Sequence, residues 1–201
     1  VGAGIADTRS VVQSYAPVAA AEFVGTAVLV MAGPGAAILA PDLGQLGVAA
    51  MLVDSNGNEA VSSVQTPSQF RHLGKKYDHA EINVLHAAPP GLSNHILIVS
   101  LEPCDFCAKA IAWSGKVKKV VLASRDPIID GIGIKTLKYA GIEVAIAPID
   151  IQRDAAGLFL KRQEELGRKL DLSLDDMQKL NSEAIESWDL TAMSLEDLGI
   201  P

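Results

Sequence analysis

The sequence predicts an α/β protein, a sandwich of helices around a mixed sheet of five strands. Three observations carry that reading: short, wholly apolar runs, helix-like stretches that alternate with them, and a turn-bearing hairpin ahead of both. The hairpin is "LGVAAMLVDSNGNEAVSSVQ" over 46–65, with two strand-like arms around a turn at "DSNGN". "PSQFRHLGKKYD" is polar and reads as a loop, and "HAEINVLHAA" (79–88) reads as a helix halted by "PPG". "HILIVSL" (95–101) is apolar throughout, as a strand buried on both faces should be. "CDFCAKAIAWSG" is a helix closed by Gly115, and "KVVLAS" (119–124) is a second buried strand. "IGIKTLKYAG" (132–141) is a helix ending at Gly141, followed by the strand "IEVAIAP". "DAAGLFLKRQEELGRK" and "LSLDDMQKLNSEAIESW" read as two further helices. The later strands, each separated by a helix, should run parallel to one another.

Length and charge bound the function. A chain of 201 residues can bury a real core, and with aromatics at only 4% that core should be aliphatic. The net charge is −7, but residues 1–170 hold 16 acidic and 16 basic side chains, whereas 171–201 hold eight acidic and one basic, Lys179. The acidity therefore belongs to the C-terminal segment. A neutral core argues against a nucleic-acid partner, which needs a basic face to neutralise phosphates. The short basic clusters "RHLGKK" (71–76) and "KVKK" (116–119) read as solvated turns and helix ends. Two cysteines make no disulfide framework and suit a reducing compartment, so a cytoplasmic location is expected. The apolar stretch 18–40 is long enough to span a bilayer, but the breaker "GPG" at 33–35 and the lack of a positive flank favour a buried helix ending near Ala32. No membrane association is expected. The chain divides into an apolar helical segment (1–45), a core (46–150) and a helical extension with an acidic tail (151–201).

Both cysteines lie in "EPCDFC" (102–107), which opens a helix, and His79 opens the helix before it. In parallel α/β topology, helices on one side of a sheet bring their N-termini together, so His79, Cys104 and Cys107 should converge. A CxxC alone is compatible with a redox pair. A histidine with two thiolates, however, is a three-ligand zinc set that leaves the fourth tetrahedral position for water. Helix N-termini favour the thiolate form. Two thiolates cancel the charge of Zn²⁺, so the metal needs a proton acceptor beside it, and Glu81 is placed to be one. Asn83 stands one helical turn from His79, within reach of a substrate, with a capping role as its alternative. Backbone near Pro103 and the turn at 89–94 should line the pocket. Phe106 and Trp113 are expected in the core rather than against a substrate ring, and His72, His86 and His95 are given no role.

The H-x-E…P-C-x-x-C pattern is the signature of zinc-dependent nucleobase deaminases, and from about residue 46 to 147 the sequence resembles the cytidine deaminase-like superfamily. The resemblance implies a three-layer α/β/α sandwich with a five-stranded mixed sheet, His79, Cys104 and Cys107 as ligands of one Zn²⁺, and Glu81 as the proton shuttle. "HAEINVLHAA" and "DPIIDGIGIKTLKYAGIEV" are most similar to the pyrimidine deaminase of riboflavin biosynthesis, whereas the CxxC spacing is that of tRNA adenosine, guanine and deoxycytidylate deaminases. The stretch after the last core strand is too short for the riboflavin enzyme's reductase domain, so none is expected. The implied activity is hydrolytic deamination of a small-molecule aminoheterocycle, a free base, a nucleotide or a riboflavin-pathway pyrimidine, by a homo-oligomer (dimer or tetramer). The competing readings are an RNA- or tRNA-directed base deaminase, including a toxin, and a non-catalytic zinc-stabilised partner subunit.

Overall fold

A computed structural model describes residues 48–54, 59–64, 66–67 and 77–194. The readings for 1–45, the tip of the hairpin turn, the cluster at 71–76, His72 and the end of the acidic tail lie outside these residues.

The first strand, β1 (Ala49–Val53), pairs antiparallel with β2 (Glu59–Val64), the hairpin read from the sequence. Thr66–Pro67 (β3) and Tyr77–Asp78 (β4) form a separate two-residue ladder where the sequence suggests only loop. Helix α1 (Ala80–Ala87) follows, then β5 (His95–Val99), α2 (Asp105–Ser114), β6 (Val117–Leu122), α3 (Ile132–Tyr139) and β7 (Glu143–Ile146). Two longer helices, α4 (Ile149–Glu165) and α5 (Leu174–Trp188), precede a two-residue strand, β8 (Thr191–Ala192). The sheet order is β2-β1-β5-β6-β7-β8, antiparallel across β2-β1-β5 and parallel from β5 onward.

The sheet is mixed, as expected, but it has six strands rather than five. The sixth has no apolar signature because its side chains are exposed. It is held by backbone alone, pairing Ala145 with Thr191 and Ile146 with Ala192. Helix α4 likewise starts earlier than its sequence suggests, at Ile149 directly after Pro148, so that Ile151 and Ala155 reach the sheet.

Strand alternation fills both faces of the sheet. Ala50, Leu52, Leu97, Val99, Val120 and Leu122 meet Val84 and Leu85 of α1, Ile111 of α2 and Ile134 and Leu137 of α3. Met51, Val53, Ile98 and Val121 point the other way, onto Ile151 and Ala155 of α4. Helices therefore cover both faces, giving the three-layer sandwich. Between α4 and α5 a smaller cluster of Leu101, Ala156, Phe159 and Met177 fixes the C-terminal helix.

Local chemistry sets the helix ends. Gly115 closes α2 at φ 64°, a left-handed conformation that suits glycine. Ser173 and Asp176 form a reciprocal capping box at the start of α5, with the Asp176 carboxylate accepting the Ser173 N–H at 2.8 Å. The Lys116 ammonium donates to the Leu85 carbonyl at 2.9 Å and the Ala88 carbonyl at 3.3 Å, satisfying the last turn of α1. Leu122, fully buried at the centre of the sheet, offers a direct measure of this packing. Leu122→Ala should lower unfolding free energy by about 2–5 kcal/mol in urea titrations, against about 0.5 kcal/mol or less for Lys118→Ala, exposed near the start of the same strand.

Candidate metal centre and its supporting network

Two helix starts build the cluster. His79 and Cys104 occupy the N-cap positions of α1 and α2 in extended conformation, and neither side chain caps its own helix. Cys107 lies in the first turn of α2 and is buried, while Cys104 is half-buried. His79 Nδ1 stands 3.7 Å from Cys104 Sγ and 3.3 Å from Cys107 Sγ. All three ligand atoms fall within 4.8 Å of one another, and among the described residues this is the one such cluster. Zn–S bonds of about 2.3 Å and a Zn–N bond of about 2.0–2.1 Å at a tetrahedral angle require N···S separations of about 3.6 Å. The two observed distances bracket that value.

Electrostatics point the same way. The hydrogen bond from the Cys107 thiol holds Cys104 down to about 4, against the effect of burial and with further help from His79. Cys107, which donates that bond from a buried position, is pushed up. The two sulfurs thus share one proton, and a dication would take its place and be neutralised by the pair. The donor set therefore fits a zinc ion.

Glu81 projects from the first turn of α1 into this cluster and is only 2% exposed. Burial pushes its carboxyl above the usual carboxylate range. Its own backbone N–H and the positive charge of His79 oppose that shift, while the Cys104 thiolate adds to it. Its Oε2 has no hydrogen-bond partner, an uncommon state for a buried carboxylate oxygen. Asn83 lies half-buried on α1, two residues beyond Glu81. Pro103 is buried, and its carbonyl oxygen lies 1.8 Å from where a Cβ on Gly133 would stand. His86 is exposed, and His95 engages the Ser93 carbonyl at 2.8 Å, so both stay outside the cluster.

Phe106 and Trp113 differ from expectation. They are 57% and 83% exposed, because α2 turns Cys107, Ala108 and Ile111 inward and leaves positions seven apart on its outer side.

Sequence reasoning also missed the groups that hold the cysteine loop. Glu102, 3% exposed, accepts the Arg125 Nε–H at 2.7 Å through Oε2 and the Ile134 N–H at 3.4 Å through Oε1. Burial pushes Glu102 up, and the Arg125 guanidinium opposes that shift. The Asp126 carboxyl, also raised by burial, accepts the Ile128 N–H at 2.8 Å and lies close enough to Cys104 to sense its charge. The available signals were a glutamate directly ahead of Pro-Cys and an Arg-Asp pair directly after an apolar strand. Neither signal names its partner. Gly133 reports how closely this loop and α3 approach. Gly133→Ala should force the two apart, costing about 1–3 kcal/mol in chemical denaturation, with a larger loss at the cysteine loop than at β1 in hydrogen exchange.

The family model for the cytidine and deoxycytidylate deaminase zinc-binding region matches residues 26–124. The chain is 32% identical over 120 residues to riboflavin biosynthesis protein RibD of Bacillus amyloliquefaciens, covering 56% of this chain and 29% of that protein. It is 40% identical over 76 residues to RibD of Aquifex aeolicus, covering 34% of this chain and 21% of that protein. The chain thus spans well under half of these relatives. Among solved structures, Acinetobacter baumannii RibD matches with a TM-score of 0.52 at 26% identity, over 71% of this chain and 39% of that one. The crystal structure of NE0047 in complex with 2,6-diaminopurine matches in fold, with a TM-score of 0.56 at 21% identity over 85% and 95% of the two chains.

Proposed function

Because the chain belongs to the cytidine deaminase-like superfamily, we propose that it is a zinc-dependent hydrolytic deaminase of a small aminoheterocycle. The observation that carries this reading is the placement of an unpartnered, buried Glu81 oxygen against a His79–Cys104–Cys107 cluster of zinc dimensions. A zinc ion held by these three residues would lower the pKa of a water toward neutrality. Glu81 is placed to take a proton from the attacking water as its oxygen adds to the ring carbon bearing the exocyclic amine. The carboxyl then gives the proton to the adjacent ring nitrogen. On collapse of the tetrahedral adduct, Glu81 takes the proton of the new hydroxyl and passes it to the departing amine, which leaves as ammonia while the carbon becomes a carbonyl. A carboxyl raised by burial suits a role in which the group must accept and donate in turn.

The substrate we infer is an aminopyrimidine of the kind that the RibD relatives' riboflavin-pathway role implies, with free purine or pyrimidine bases and nucleotides as the alternatives. The similarity of the stretch over 126–144 to that group supports the choice, and Asn83 and the backbone at Pro103 are the proposed substrate contacts. No described helix is long and apolar enough to cross a membrane.

Ammonia release by the purified protein over a panel of cytosine, cytidine, guanine, adenine, deoxycytidylate, a riboflavin-pathway aminopyrimidine and tRNA tests both the chemistry and the substrate. Glu81→Gln should retain zinc yet lose about 10²–10⁴-fold in turnover. Cys104→Ser and Cys107→Ser should lose the metal, as read by elemental analysis, and unchanged turnover in Glu81→Gln would overturn the assignment.

The same reading includes a homo-oligomer. Phe106 and Trp113 on α2 and Tyr139 on the adjoining α3, the last 96% exposed, offer ring surface for a second copy of this chain to cover. Trp113→Glu should shift the mass measured by light scattering toward the monomer at micromolar concentration; an unchanged mass would move the contact elsewhere.

A further inference from the structure

One polar network in the described chain has no part in the chemistry above. Asn181 lies inside α5 and is 1% exposed. Its Oδ1 accepts the backbone N–H of Arg125 at 2.8 Å, and its Nδ2 donates to Gln152 Oε1 at 3.0 Å. Gln152 donates in turn to the Ala147 carbonyl at 2.7 Å, which ties α4 to the end of β7. Arg125 carries the chain of contacts forward to Glu102, two residues before Cys104. The C-terminal helix thus reaches the cysteine loop through two side-chain links, although 56 residues separate Arg125 from Asn181.

A second set of contacts ties α5 to Arg125 and to α3. The Trp188 ring lies 2.6 Å from where a side chain on Gly131 would begin, and Gly131 sits at φ 70°. The Arg125 guanidinium lies 5.9 Å and the Lys135 ammonium 4.9 Å from the Trp188 ring centre. Lys138 of α3 donates to the carbonyls of Trp188 and Asp189 at the end of α5.

Packing alone would not call for an asparagine here. Met177, Asn181 and Ala184 form the buried stripe of α5, and an apolar residue at the middle position would bury as much surface without a desolvation cost. What the amide adds is direction. One hydrogen bond to a fixed backbone N–H sets the residue that holds Glu102. Partners bonded directly to metal ligands typically contribute about 10–100-fold in metal affinity, an upper bound for a group that acts through two further contacts.

The geometry points to α5 as a positioning element for the metal loop, with Asn181 fixing Arg125 so that its guanidinium holds Glu102 and, through it, Pro103 and Cys104. This rests on the reading that His79, Cys104 and Cys107 bind zinc. Asn181, Arg125 and Glu102 are positioning residues in this scheme. The acidic C-terminal extension is then part of the site.

The test measures zinc affinity of the full chain by competition with a chromophoric chelator, and the visible absorption of the Co²⁺-loaded protein. Asn181→Leu should bind zinc up to about 10-fold more weakly and shift the Co²⁺ bands. Asn181→Asp, which keeps an acceptor for the Arg125 N–H, should recover most of the affinity. Val53→Ala, a packing change between β1 and α4 outside the network, should lower the melting temperature yet keep wild-type affinity and spectrum. Equal affinity and an unshifted spectrum in Asn181→Leu would overturn the inference, as would an equal loss in Val53→Ala. If Asn181→Leu does not fold, Trp188→Leu at the half-buried end of the helix carries the same test, and unchanged zinc binding there overturns it. A wild-type chain that binds no zinc would overturn the metal reading, and this inference with it.

Discussion

A carboxylate and a guanidinium 2.7 Å apart, both nearly sealed from water, form the joint on which the rest of the molecule turns. Desolvating Glu102 and Arg125 costs several kcal/mol per ion, and an apolar pair of the same shape would pack at least as well. Once both are buried, neither can be lost cheaply, because removing one partner strands the other at about 3–5 kcal/mol. The pair therefore fixes geometry more than it adds stability. Glu102 also receives the Ile134 N–H, so a single carboxylate ties the cysteine loop, the segment after β6 and the start of α3 together.

The sheet explains why the loop lies where it does. β5 and β6 run parallel, so the chain must leave the C-terminal end of β5 and cross back through a helix before β6 begins. That exit point is the Leu101–Cys104 segment, and the helix it starts, α2, presents Cys104 at its N-cap. Helix α1 lies on the same face of the sheet, with Val84 and Leu85 in the core that Ile111 joins. His79 at its start then meets the two sulfurs. Apolar periodicity on one face thereby sets the separation of polar atoms at one end, and the ligand distances follow from packing as much as from the ligands.

What the sequence revealed and what it hid divide along a physical line. The hairpin, the buried strands and the helix stops were legible because each is written in neighbouring residues. The cluster was legible because His79, Glu81, Cys104 and Cys107 have few other uses at that spacing. Partnerships across space were not. Glu102 and Arg125 are 23 residues apart, and Arg125 and Asn181 are 56 apart. Nothing local distinguishes Asn181 from a solvated helix residue. Phe106 and Trp113 misled for the opposite reason, since apolar character alone suggests burial while the turn of α2 sets which face is hidden. The early start of α4 was masked by Pro148, which stops a helix when it lies inside one but suits the position just before one.

The two residues of β8 have a consequence out of proportion to their length. β7 would otherwise end the sheet, with a row of open N–H and C=O groups able to pair with another chain. Thr191 and Ala192 lie along that edge, and the Met193 N–H closes onto the Ile146 carbonyl at 2.9 Å. A strand this short, with exposed side chains, covers the edge yet offers little template of its own. The segment that reads as a tail covers the open margin of β7, and a cut before residue 191 would bare it.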